Sequence, residues 1–292
     1  MALDWRGHAM GQSFGRRYAV RTLLALLWMP VSASRAAELR SRTESLEGKA
    51  RVIIGNAFMS LTFEPSQGGR CSVFGLYTHI LNIDDALAGW KHKGQFSSEF
   101  TWANCPPNAI ETFPGTYLEL FSYNTVVLSD ANYKAIGDIG FEMLCDYIEQ
   151  GGNLLVTGGP YALGNGEFEG TRFLDVLPVT LSGPFDLTWA GKGKSWPLAA
   201  PAGASHPVLN GVSFAQNPRV FWHHFVTPRK DAMVVLKAGD QPALVLGRYG
   251  KGKVAVLTLS PTGEGAPGET EWWKWDGWFP LVRSIFAWLN MR

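Results

Sequence analysis

The chain has 292 residues, 46% of them hydrophobic and 17% charged, enough apolar material for a buried core and too much for global disorder. A formal net charge of +1 lacks the basic excess on which nucleic-acid binding depends, so no nucleic acid is expected as a partner. The three cysteines, Cys71, Cys105 and Cys145, contain no C-x-x-C pair, and their odd number excludes a fully paired disulfide framework within one chain. A single Cys71–Cys105 bridge and three free thiols both fit; no metal site and no cofactor is expected.

At the front, Arg16 and Arg17 precede an apolar run from Tyr18 to Val31, followed by the small residues Ser32 to Ala37. A positive flank, a short apolar centre and an A-x-A-like end make the pattern of a secretory signal, so residues 1–37 are expected to direct export. The uninterrupted part, Leu23 to Val31, is shorter than the ~20 residues a spanning helix needs. A retained signal would leave the chain anchored; the mature chain carries no other candidate span. The paired arginines also fit a twin-arginine route loosely.

Residues 38–94 read as a linker and a short β-rich segment. Strand-like pieces run from Arg51 to Ile54, Phe58 to Phe63 and Arg70 to Tyr77, suggesting a hairpin or meander ahead of the main domain, residues 95–292. Ile80 to Trp90 has helical spacing, and Gln95 to Ala103 is a strand candidate. Thr125 to Leu128 reads as a buried strand. A helix follows with Ile136, Ile139, Met143, Leu144, Tyr147 and Ile148 on one face, ending at Gly151-Gly152. A second buried strand, Asn153 to Thr157, completes a βαβ unit, which implies parallel strands. Residues 180–220 form a Gly- and Pro-rich excursion with little helix. Strands are expected at Arg219 to Thr227, Ala232 to Lys237, Ala243 to Tyr249 and Val254 to Leu259, the last two joined by a tight turn. A helix from about Glu271 would carry Trp272, Trp275, Phe279, Val282, Phe286 and Leu289 on its buried face. Trp273 and Trp278 fall off that face and are candidates for an aromatic surface.

The stretch Tyr123 to Asp130, followed by Tyr147 to Gly159 with its Gly151-Gly152-Asn153-Leu154-Leu155-Val156-Thr157-Gly158-Gly159 run, resembles class I glutamine amidotransferase-like domains. The Gly164–Gly170 loop, Leu177-Pro178-Val179, His206-Pro207-Val208, the Tyr249–Gly252 turn and the Trp-rich end resemble a catalytically degenerate branch of that superfamily. The match runs over roughly residues 95–290. It implies a flavodoxin-like three-layer α/β sandwich with a mostly parallel sheet, here with a β-rich excursion.

Enzymes of that superfamily use a Cys–His–Glu triad, with the cysteine on a sharp turn whose N–H groups hold an oxyanion. The matching turn here, Thr157-Gly158-Gly159-Pro160-Tyr161, has neither cysteine nor serine, and Pro160 removes an N–H. The place of the histidine and glutamate reads Ser260-Pro261-Thr262-Gly263-Glu264, with no histidine. Glutamine hydrolysis is therefore expected to be absent, and no catalytic residue is assigned.

Asp130, Gly158, Gly159, Tyr161, Ser260 and Glu264 line the C-terminal edge of the expected parallel strands, where α/β sheets bind ligands. Ser129-Asp130 equally fits a helix N-cap. His223 and His224, adjacent on a strand, point to opposite faces and cannot easily share a metal. Asp84-Asp85 fits a cap or an exposed helix side. Gly164-x-Gly166 lacks the residues of a phosphate loop. The expectation is a non-catalytic module of an exported system, binding an unidentified small molecule or protein and carbohydrate-related by its tryptophans. A hydrolase built on Asp130, Glu264 and one of the two histidines is the alternative.

Overall fold

The computed structural model describes residues 50–57, 81, 83–86, 96–103 and 113–290. The leader, the pieces from Phe58 to Phe63 and from Arg70 to Tyr77, and both Cys71 and Cys105 lie outside the described residues. Nine strands form the main sheet, in the spatial order β2-β1-β3-β4-β13-β12-β11-β7-β8. These are β1 (Ala50–Ala57), β2 (Phe96–Ala103), β3 (Thr125–Ser129), β4 (Asn153–Thr157), β7 (Trp196–Ala199), β8 (Arg219–Val220), β11 (Met233–Ala238), β12 (Gln241–Tyr249) and β13 (Gly252–Leu257). From β2 to β13 every pairing is parallel; from β13 to β8 every pairing is antiparallel.

Two expectations are corrected here. The sheet is parallel over only half of its pairings. Short turns with left-handed glycines, Gly239 (φ 59) and Gly250 (φ 55), join β11 to β12 and β12 to β13, and a hairpin can only pair its strands antiparallel. The Arg51 to Ile54 piece is not part of a meander ahead of the domain: β1 lies inside the main sheet, between β2 and β3.

Both faces of the sheet are covered. Val126, Leu128, Leu154, Val156, Val245, Val254 and Val256 pack with helix α3 (Tyr133–Glu149) and helix α4 (Phe173–Val176). The residues between them, Val127, Leu155, Leu244, Leu246, Ala255 and Leu257, pack with helix α5 (Trp278–Asn290) and the short helix α1 (Ile83–Ala86) on the opposite side. A period of two along each strand thus feeds two cores, which is why the strands read as unbroken apolar runs. A short helix α2 (Tyr117–Leu120) precedes β3, capped by the Thr116 side chain.

Within α3, Gly137 has φ 65 and ψ 179 and breaks the helix. The phase restarts after it, so Ile139, expected on the buried face, is 57% exposed, while Met143, Leu144, Tyr147 and Ile148 are buried. Cys145 sits in the core there, and burial pushes its thiol up to about 12, an unreactive state. After α3 the chain turns through Gly152, whose hydrogen faces the Tyr147 ring where a Cβ would overlap it.

The C-terminal helix starts at Trp278, seven residues later than expected. The backbone of Arg219 in β8 claims the preceding segment through Arg219 N–H to Thr270 O at 2.8 Å and Trp272 N–H to Arg219 O at 3.0 Å. The helical phase drawn for Trp272 to Trp278 therefore does not apply. Trp273 and Trp278, read as an aromatic surface, are buried: Trp278 stands edge-on to Trp272 at 5.1 Å and donates its indole N–H to Leu81 O at 2.5 Å.

The excursion is β-rich as expected. Besides β7 and β8 it supplies β5 (Val179–Leu181) paired with β10 (Val226–Pro228), and β6 (Leu187–Trp189) paired with β9 (Trp222–His224). Strand β9 also pairs with β14 (Leu259–Ser260), which continues from β13 after a break at Thr258. This three-stranded sheet stands at the C-terminal end of β13 and carries side chains to the turn after β4.

Candidate functional site

The turn after β4 runs from Gly158 to Tyr161, beside Asp130 at the end of β3. Both glycines are required by close approach. A Cβ on Gly158 would lie 2.8 Å from a His224 ring carbon and 2.8 and 2.9 Å from the carbonyls of Thr258 and Leu259. One on Gly159 would lie 2.2 Å from Asp130 Oδ1 and 2.7 Å from its Cβ.

Every N–H of the turn is occupied from within the protein. Gly158 N–H donates to Leu257 O at 2.7 Å. Gly159 N–H donates to His224 Nε2 at 3.1 Å, and Tyr161 N–H donates to Asp130 Oδ1 at 2.7 Å. Pro160, between them, has none. The same Nε2 lies 3.0 Å from Gly159 O, so it faces both the N–H and the carbonyl of that residue. On the other side of the ring, Nδ1 lies 2.6 Å from Asp186 Oδ1, and a carboxylate oxygen there accepts. The side chains of His224 and Asp186 are both fully buried. Asp186 is itself held by its own carbonyl, which accepts from Phe225 N–H at 2.9 Å.

Asp130 is fully buried in a left-handed conformation (φ 50), and its Oδ2 has no partner among the described residues. Burial pushes its carboxyl well above the ordinary range, against the lowering effect of the Tyr161 N–H. It does not cap α3: its bonded oxygen faces the β4 turn, so the turn reading displaces the N-cap reading. Below it, Thr157 Oγ1 donates to Ser129 Oγ at 2.9 Å, tying the ends of β3 and β4 together.

Of the residues expected to share a pocket, Asp130, Gly158, Gly159 and Tyr161 come together. Ser260 is buried nearby on β14, its hydroxyl 3.0 Å from that of Thr262. Glu264 does not join them; it lies exposed in the loop beyond. The two histidines do diverge as the strand period requires. His223 faces Trp196 and Phe225 edge-on, at 4.5 and 5.0 Å, and burial lowers its pKa. Asp85 is exposed. Asp186 was missed. It lies 38 residues before His224 in a glycine- and proline-rich excursion, and only the β6–β9 pairing brings it there. Among the described residues no cluster of three or more His, Cys, Asp or Glu could hold a metal, and no helix is long and apolar enough to cross a membrane.

Beside the turn opens a cavity of about 480 Å³, lined among others by Leu163, Glu167, Phe168, Glu169, Leu181 and Phe185. Gly164 separates it from the buried pair: a Cβ there would lie 2.4 Å from Asp186 Cγ. Asn165, also on its wall, donates to Pro160 O at 3.1 Å.

Among solved structures, a cytoplasmic protein from Salmonella typhimurium is similar over 82% of this chain and 98% of its own, with a TM-score of 0.64 and 22% identity. A second cytoplasmic protein from Salmonella typhimurium LT2 is similar over 83% of this chain and all of its own, with a TM-score of 0.63 and 18% identity. A β-galactosidase from Rahnella sp. R3 is similar over 82% of this chain but only 32% of its own, with a TM-score of 0.50 and 13% identity. At these identities the likeness is one of fold. No curated protein matches the chain. Residues 85–291 match the family model described as "Putative glutamine amidotransferase", more than half of the chain, and the protein therefore belongs to this glutamine amidotransferase-like family.

Proposed function

We propose that this is a non-catalytic member of its family, a flavodoxin-like domain that binds a ligand or partner in an exported system. One observation carries the reading. The turn that would present a nucleophile and an oxyanion hole has no nucleophile, and each of its N–H groups already has an acceptor in Leu257, His224 or Asp130. An oxyanion would have to displace a buried imidazole or a buried carboxylate to reach a donor. The hydrolase alternative draws support from His224, which Asp186 orients as a carboxylate orients a general base. Its Nε2, however, is spent on Gly159, and Glu264 is exposed whereas His224 is fully buried.

The test is ammonia release from glutamine by the purified chain, against a control with His224→Ala. No release above the control supports the reading, and turnover lost with His224 would overturn it. Export rests on the Arg16–Ala37 pattern, upstream of the family match; the Salmonella neighbours described as cytoplasmic are other proteins. We take residues 1–37 as the signal and count β1, residues 50–57, with the family domain whose sheet it enters, the family match itself spanning residues 85–291. A reporter enzyme active only outside the cytoplasm, fused after residue 37, tests this: an inactive fusion would refute export. A carbohydrate ligand is the class we favour, in keeping with a fold also present in part of a β-galactosidase.

A further inference from the structure

We propose that the cavity beside the sealed turn is a saccharide-binding site, with Phe185 as its stacking platform and Glu167 and Glu169 as its hydrogen-bond acceptors. The inference rests on the reading of the domain as a ligand binder and supplies the place and the ligand chemistry. Its volume, about 480 Å³, lies in the range of small-molecule sites. Leu163, Phe168 and Leu181 give it an apolar floor. Phe185 is 86% exposed, the most exposed large apolar side chain among the described residues. It projects from a backbone with φ 63.

Strain supplies the second, independent observation. Five non-glycine residues among those described have left-handed backbones, and three of them, Leu163, Glu167 and Phe185, line this one cavity. A fourth, Asp130, belongs to the adjoining turn. Such conformations are disfavoured for residues with a Cβ and gather where the surrounding structure holds a site in shape. Here they aim one carboxylate and one aromatic ring at the same space.

The lining selects the ligand. It includes two carboxylates and no cationic side chain, which disfavours phosphates and other anions. Lys134 already pairs with Glu167 at 2.7 Å, so the site is not a strong trap for cations. A neutral ring with several O–H donors and one C–H face matches both features: hydroxyls donate to the glutamates, and the C–H face lies on Phe185.

Titration calorimetry on the full chain, with methyl glycosides of glucose, galactose and N-acetylglucosamine and their short β-linked oligomers, tests this. Saturable binding of at least one is expected. Phe185→Ala should weaken it about fivefold or more through loss of the ring contact. Glu169→Gln should weaken it several-fold while leaving the melting temperature unchanged. Absence of binding by every glycoside overturns the proposal. So does binding that both variants leave intact, since the sugar would then sit elsewhere, and so does preferential binding of a diamine such as putrescine. Ammonia release is a separate readout: sugar binding together with glutamine turnover would sink the non-catalytic reading and leave this one standing.

Discussion

The turn after β4 and the cavity next to it share a wall at Gly164, yet they are built in opposite ways. In the turn, two glycines, a proline, a buried imidazole and a buried carboxylate close on one another until each N–H has an acceptor. In the cavity, an exposed ring and one glutamate, Phe185 and Glu167, stand on strained backbone, with Glu169 beside them on the lining. The turn is closed by its own packing, while the cavity one loop along is open to a ligand. Substitutions in the turn should therefore register as stability, and substitutions in the cavity as binding.

The sharpest break is Gly158→Ala. The added methyl meets two backbone carbonyls and the His224 ring, none free to move, and about 3 kcal/mol of stability should be lost in urea unfolding. Asp186→Ala leaves the His224 Nδ1–H buried without an acceptor, for a loss of about 2 kcal/mol; Asp186→Asn, which keeps an oxygen there, should lose less. If Asp186→Ala unfolds like wild type, the pair is not holding the turn shut.

Asp130 sharpens the comparison through pH. Its folded pKa is raised, so the folded state keeps a proton that the unfolded chain releases near pH 4. Its contribution is thus most favourable at acid pH and declines as pH rises from about 4 through the folded pKa. Asp130→Asn, which still offers an oxygen to Tyr161 N–H, should be more stable than wild type at neutral pH and should lose that part of the slope. Unfolding across a pH series measures both; a slope unchanged by Asn would show that another group carries it. The smallest expected effect lies across the wall. Phe185→Gly relieves a left-handed backbone while loosening the unfolded chain, and stability should stay within about 0.5 kcal/mol. A larger loss would make Phe185 a structural residue and erase the contrast.

Thr125 to Ser129 and Asn153 to Thr157, in the parallel half of the sheet, were readable because both are buried on both faces and the second is bracketed by glycine pairs. That the five-residue turn after β4 holds neither cysteine nor serine was legible too. What packs against that turn was not. The His224–Asp186 contact spans 38 residues and depends on a pairing of two three-residue strands, too short to leave a period. The tryptophans misled for a related reason: the phase of a helix can be read only where a helix exists, and Arg219 bridges to Glu271 and accepts from Trp272 N–H instead. Ile139 failed one glycine after a break that spacing alone cannot reveal.

Strand β13, the seam between the parallel and antiparallel halves of the sheet, is also among the last strands to be synthesised. Until it leaves the ribosome, β4 has an unpaired edge and the set β12-β11-β7-β8 has nothing to join on its β12 side. The halves can meet only when nearly the whole chain exists, and α5, which covers one face of the seam, arrives later still. Long-range closure of this kind is slow. The nascent chain is thus kept from completing its fold by the order in which its strands are made.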